Sequence, residues 1–169
     1  MLKIINDLRP FFENCYARIN IRQYARFMKI TPPTASALLK YYEKEGLLVR
    51  EKDRNYIMFY ANKSNPVFIV LSRLYWRHTL EGMLDFLTKK LANPTIILFG
   101  SLSKAETKPD SDIDIAIICD EPEIDLSQFR KKLGREIQNF WFKSLKDGKN
   151  KDLINNIING YVMAGTMKL

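Results

Sequence analysis

Two cysteines, a single histidine and the lack of any long apolar run set the first limits on this chain of 169 residues. Cys15 and Cys119 are too few for a disulfide framework, and neither lies in a Cys-x-x-Cys or Cys/His cluster, so both are expected as buried thiols. His78 stands in a helical stretch with no second ligand nearby, which gives it a surface or packing role rather than a metal-binding one. No apolar stretch approaches the roughly 20 residues that cross a bilayer. The opening MLKIINDLRP lacks the long apolar core of a secretory signal, so the expected location is the cytoplasm, with no membrane partner. Internal repeats and low-complexity tracts are missing too. What remains is 46% apolar and 27% charged, ordinary values for a folded protein of one domain or two small ones.

Acidic residues are scarce, but only in one part. Residues 1–66 carry 12 Lys and Arg against 6 Asp and Glu, residues 67–92 carry 4 against 2, and residues 93–169 carry 11 against 11. The whole net charge of +8 therefore lies in the first 92 residues. Such asymmetry points to a polyanionic partner for the N-terminal part and to two functional pieces.

The second piece is organised around residues 96–118, IILFGSLSKAETKPDSDIDIAII. An apolar strand, 95–99, ends in Gly100-Ser101, and ten residues later Asp112-Ile113-Asp114 lies inside a second apolar run. A glycine after a strand lets the backbone approach a bulky anion, and the Ser hydroxyl with the amides of the next turn can hold phosphate oxygens. Asp112 and Asp114, two apart on a strand, send both carboxylates from one face while Ile113 and Ile115 point inward. Two such acids repel unless a divalent cation lies between them.

Gly-Ser, ten residues and Asp-x-Asp resemble the signature of the DNA polymerase β-like nucleotidyltransferase superfamily in its minimal form. Lys104-Ala105-Glu106 and the Ser111 before the first Asp agree with it. The resemblance implies transfer of a nucleoside monophosphate, AMP from ATP above all, to a hydroxyl. Gly100 and Ser101 would cradle the phosphates with help from Lys104, and Asp112 and Asp114 would hold Mg²⁺ or Mn²⁺. It also implies the order strand, turn, strand, helix, strand, helix. The later elements are expected as an acidic loop over 119–124, a helix over 125–133 with Asp125 as N-cap, a strand over 136–142 and a helix over 152–161. Active members of the family carry a third carboxylate on the strand that follows. Here Gln138 is expected at that place, and an amide cannot serve as an anionic ligand. Glu136, on the same face, either substitutes as the third catalytic acid or stands as a solvated charge.

In the first piece, residues 21–48 read as two short helices about a tight turn, with Thr31-Pro32 as an N-cap and first-turn signal and Gly46 as a stop. Tyr24, Ala25 and Met28 line the inner face of one helix, and Ala35, Leu38, Leu39 and Tyr42 that of the other. Strands at 49–51 and 56–61 about a turn at 52–55 then form a hairpin. The whole resembles the winged helix-turn-helix of bacterial and archaeal regulators, which implies duplex DNA as partner. Thr34, Ser36, Ala37, Lys40 and Lys44 would face the major groove, while Arg22, Arg26, Arg50, Lys52 and Arg54 would meet phosphates. Thr, Ser and Ala on that face argue for backbone binding over strong base readout.

The expected architecture is thus α+β. A winged helix-turn-helix occupies residues 1–65. Residues 66–92 form a linking helix, single or broken near Gly82, and a nucleotidyltransferase-like α/β domain occupies 93–169. The apolar stripe of the linker exceeds what a tether needs; packing against both domains, or against the same helix of a second subunit, would bury it, and a homodimer is expected. Two functions follow: an enzyme whose acceptor is a nucleic acid or a protein, or a DNA-binding regulator whose second domain binds nucleotide or dimerises without turnover.

Overall fold

A computed structural model describes residues 2–120 and 123–167. Glu121 and Pro122 of the expected acidic loop lie outside the described residues, as do Met1, Lys168 and Leu169. The chain divides into two compact units, one made of Met1–Tyr75 with Ala105–Pro109, the other of Trp76–Lys104 with Asp110–Leu169.

The first unit opens with helices α1 (Lys3–Asp7) and α2 (Arg9–Glu13). Pro10 stands in the first turn of α2, where no amide proton is required, so it opens a helix rather than kinking one. A two-residue strand β1 (Ile19–Asn20) leads into α3 (Ile21–Met28). Asn20 and Gln23 cap that helix reciprocally at 2.9 Å in each direction, and Lys29, at φ +53°, ends it. Thr31 caps α4 (Pro32–Lys44), whose Ala35, Leu39 and Tyr42 are buried, as are Tyr24 and Ala25 of α3. Strands β2 (Leu48–Asp53) and β3 (Tyr56–Ala61) form a hairpin about Arg54-Asn55, and β1 adds to it in the order β1-β3-β2. Two helices, a tight turn and a three-stranded wing make this unit a winged helix-turn-helix. Its anchor is polar: the Tyr42 hydroxyl donates to the buried Asp7 carboxylate at 2.7 Å, and the Tyr24 hydroxyl donates to the Asp7 carbonyl at 2.8 Å. The loop segment 105–109 joins the unit through the Cys15 amide, which donates to the Thr107 carbonyl at 2.8 Å.

The linker region is two helices, α5 (Pro66–Thr79) and α6 (Glu81–Lys90), broken at Leu80. His78 is exposed and faces Glu81 at 3.4 Å. Val67, Val70 and Leu74 of α5 are exposed at helical spacing.

The second unit holds a four-stranded sheet in the order β6-β5-β4-β7, built of β4 (Thr95–Phe99), β5 (Ile113–Ile118), β6 (Ile137–Phe142) and β7 (Tyr161–Ala164). Strand β4 runs antiparallel to both neighbours, and β5 runs parallel to β6. A parallel pair needs a crossover, which α8 (Ser127–Leu133) supplies. Helix α8 begins at Ser127 with Leu126 at its N-cap, two residues later than expected, so Asp125 is not the N-cap; it closes the turn before the helix, accepting from the Ser127 amide at 2.9 Å. One sheet face closes over Ile97, Phe99 and Ala116 with Ile157 of α9 (Lys151–Ile158). Helix α9 stops at Ile158, three residues short of the expected end, because Tyr161 is drawn into β7 as a further strand on β4. Cys119 is only half-buried, since β5 ends one residue before it. That corrects the expectation of a buried thiol, which holds for Cys15.

Candidate nucleotide and metal site

Strand β4 is buried along its whole length and delivers the chain to Gly100, which opens the single turn α7 (Gly100–Ser103) at φ +68°. The antiparallel register sets Phe99 opposite Asp114, so the Asp114 carboxylate lies over the Gly100 Cα. A Cβ at position 100 would fall on that carboxylate, and the left-handed backbone there favours glycine on its own account. Ser101 is half-buried beside it. The Ser103 hydroxyl donates to the Gly100 carbonyl at 2.9 Å and fixes the turn from below. Lys104 is exposed, with its ammonium donating to Asn156 Oδ1 of α9 at 3.2 Å.

Asp112 and Asp114 flank Ile113 at the start of β5, both half-buried, while Ile113 is fully buried. Burial pushes the Asp114 carboxyl above its ordinary range, and the neighbouring Asp112 charge pushes it further. On the parallel neighbour β6, Gln138 pairs in register with Asp114 and donates its side-chain amide to Asp112 Oδ2 at 2.6 Å. Glu136 precedes β6, gives its carbonyl to the Ile113 amide at 2.8 Å, and turns its exposed carboxylate to Arg130 at 3.8 Å. Among the described residues, no three His, Cys, Asp or Glu side chains form a group able to hold a metal. Gln138 is therefore the β6 side chain that touches the Asp pair, and Glu136 is not brought into a three-carboxylate set. Sequence reasoning passed over Arg135, whose guanidinium donates to the Ser111 carbonyl at 2.6 Å and lies 5.1 Å from the Trp76 ring centre. It ties down the residue before Asp112, and one exposed-type side chain among many gives no signal of that.

The donor set suits a divalent cation. Two carboxylates leave one strand face, and one of them is driven toward protonation by burial and by the other, a penalty that a cation relieves. The missing Cβ of Gly100 makes room for the Asp114 carboxylate and holds that acid beside the α7 turn.

In the first unit, Arg22, Arg26, Thr34, Ala37, Lys40, Lys44, Lys52 and Arg54 are all exposed, and Ser36 is half-buried. Arg50 is already paired with Glu43 at 3.1 Å, so its charge is partly neutralised from within. Arg54 occupies the wing turn at φ +53°, and Thr34 shares a hydroxyl contact of 2.9 Å with the cap residue Thr31.

Residues 83–165 match the family model described as Polymerase beta, Nucleotidyltransferase. This part of the chain is similar to a nucleotidyltransferase domain. The match spans both halves of the site, from before Gly100 to beyond β7. No curated protein matches the chain. Among solved structures it is similar to MepR, a transcription regulator of the Staphylococcus aureus multidrug efflux pump MepA. That likeness has 19% identity and a TM-score of 0.41, over 52% of this chain and 63% of MepR, less than two thirds of the latter's length. The winged helix is defined instead by the order and pairing of its own elements.

Proposed function

We propose that the chain is a metal-dependent nucleotidyltransferase coupled to a winged-helix DNA-binding unit. The reading rests on one observation: Asp114, the second acid of the Asp112–Asp114 pair, lies over the Cα of Gly100 within the segment that matches the nucleotidyltransferase family. Asp112 and Asp114 would hold Mg²⁺ or Mn²⁺, which would offset phosphate charge while the acceptor hydroxyl displaces pyrophosphate in line at the α-phosphorus. Gly100 and Ser101 bind and orient the phosphates of a nucleoside triphosphate, ATP in this proposal, and Lys104 neutralises part of their charge. The acceptor is a hydroxyl of a protein or a nucleic acid. The winged helix contributes duplex DNA binding through the exposed cations of α3, α4 and the wing. The exposed Val67, Val70 and Leu74 stripe of α5 supports a homodimer.

A second reading has its own support. The Gln138 amide, rather than a carboxylate, touches Asp112, which favours a DNA-binding regulator whose second domain binds nucleotide without turnover. One experiment separates the two. Pure protein is incubated with α-labelled ATP, CTP, GTP or UTP in Mg²⁺ or Mn²⁺, alone and with cell lysate, beside an Asp112→Ala/Asp114→Ala control. Label passing to a macromolecule only when both aspartates are present establishes the transferase and marks its acceptor. Asp-dependent nucleotide binding without transfer establishes the regulator.

A further inference from the structure

The Asp112 oxygen that faces β6 is not free. A carboxylate has no proton to give, so the group of Gln138 that meets Asp112 Oδ2 at 2.6 Å is necessarily the amide N–H. The carboxylate has lone pairs for both an N–H and a cation. Both draw on the same negative charge, so each weakens the other's hold on Asp112. We propose that Gln138 is a positioning residue that competes with the divalent cation for Asp112, and so sets a ceiling on how tightly the site takes its metal.

Three features of the chain support competition over simple ligation by Gln138. The amide presents its donor end, not its oxygen, to the carboxylate. The parallel ladder fixes Gln138 beside Asp114 and keeps it on the same sheet face as both acids. The amide is also neutral, so the site carries two negative charges, enough to balance one divalent cation. Stabilising the Asp112 anion by a charge-assisted hydrogen bond lowers its appetite for a cation by the strength of that bond. Gln138 is exposed, so replacing it leaves the sheet core intact.

This inference rests on the proposed metal role of Asp112 and Asp114, and its test separates the two. Mn²⁺ binding to full-length protein is measured by calorimetry and by electron paramagnetic resonance, without nucleotide. The variants are Gln138→Met, Gln138→Glu and Asp112→Asn. Methionine keeps the length of the side chain and removes the donor, so Gln138→Met should tighten Mn²⁺ by about two- to ten-fold, the worth of one hydrogen bond. Gln138→Glu removes the competitor and adds a third charge, so it should tighten binding more than Gln138→Met. Unchanged or weaker binding in Gln138→Met, with wild-type binding that still depends on Asp112, overturns the competition and leaves the metal site standing. Wild-type Mn²⁺ binding that is absent, or indifferent to Asp112→Asn, overturns the site itself and the proposal with it.

Discussion

The Asp114 carboxylate lies where a side chain at Gly100 would have to be. The two halves of the motif are thus one steric unit: the residue that follows β4 lacks a Cβ, and Asp114, near the start of β5, fills the place a Cβ would take. Gly100→Ala meets two penalties, a left-handed φ of +68° and an overlap with Asp114. The left-handed backbone alone costs about 1 kcal/mol. Denaturant melts should therefore show a loss of at least that size, and calorimetry should show Mn²⁺ and nucleotide binding reduced with it, since Asp114 must swing away. An unchanged nucleotide affinity in a folded Gly100→Ala protein would remove Gly100 from the site.

Asp114 also predicts a pH dependence. Burial first, and Asp112 second, raise its folded pKa above the ordinary 3.8. A raised carboxyl pKa means that the native state holds the proton more tightly than the unfolded one. Its stabilising contribution is then full below the unfolded value and is lost as pH rises through the folded one. At neutral pH the ionised Asp114 is a burden on the metal-free protein, and Asp114→Asn lifts it. Thermal melts in chelator should place Asp114→Asn above wild type by about 1–3 °C at pH 7, with the gap closing toward pH 4. Mg²⁺ should raise the wild-type midpoint and leave Asp114→Asn unmoved.

Both halves of this site were legible in the sequence because each is a local rule. A glycine after an apolar strand and two acids at strand spacing need no tertiary information. What could not be read is pairing between distant segments. Strand β1 is two residues long, too short to carry any alternation, and exists because β3 offers it a partner. The helical pattern over 152–161 takes in Tyr161, the first residue of β7, and gives the rest of that strand no signal; pairing with β4 decides it. The destination of Glu136 turned on Arg130, one cation among several in α8, while Gln138 reached Asp112 through the parallel register. The same limit applies to α5: its periodicity is plain, but which of its apolar residues stay exposed depends on what packs against it.

Tyr42 ties helix α4 to the buried carboxylate of Asp7 in α1. Its hydroxyl is the donor to a carboxylate, Asp7, that is only 5% exposed. Burial and the Asp7 hydrogen bond both push the Tyr42 pKa upward, so the phenol keeps its proton at any working pH. Tyr42→Phe removes the hydroxyl donor and leaves that carboxylate oxygen to the Lys3 ammonium at 3.6 Å, at a cost of about 1–3 kcal/mol. Tyr24→Phe frees only a backbone carbonyl and should cost less. Urea unfolding followed by circular dichroism measures both, and the order of the two variants tests whether the carboxylate contact is the stronger anchor.

If the basic face of the first unit binds duplex DNA, its cations should not contribute equally. Lys40 projects from α4 and Lys52 from the wing, both exposed. Arg50 is held by Glu43 at 3.1 Å, and Arg18 is held by Glu51. An ion already paired within the protein releases less on meeting a phosphate, because it must first give up its partner. Fluorescence anisotropy with a labelled duplex, titrated across salt, reads this directly. Lys40→Ala and Lys52→Ala should each reduce the slope of log affinity against log salt by about 0.9, the mark of one lost phosphate contact. Arg50→Ala should reduce it less, and Glu43→Gln, which releases Arg50, should tighten binding. Variants that leave both affinity and slope untouched would mean that this face meets something other than DNA. The opposite sign for Glu43→Gln would show that Glu43 holds Arg50 in its binding position instead of diverting it.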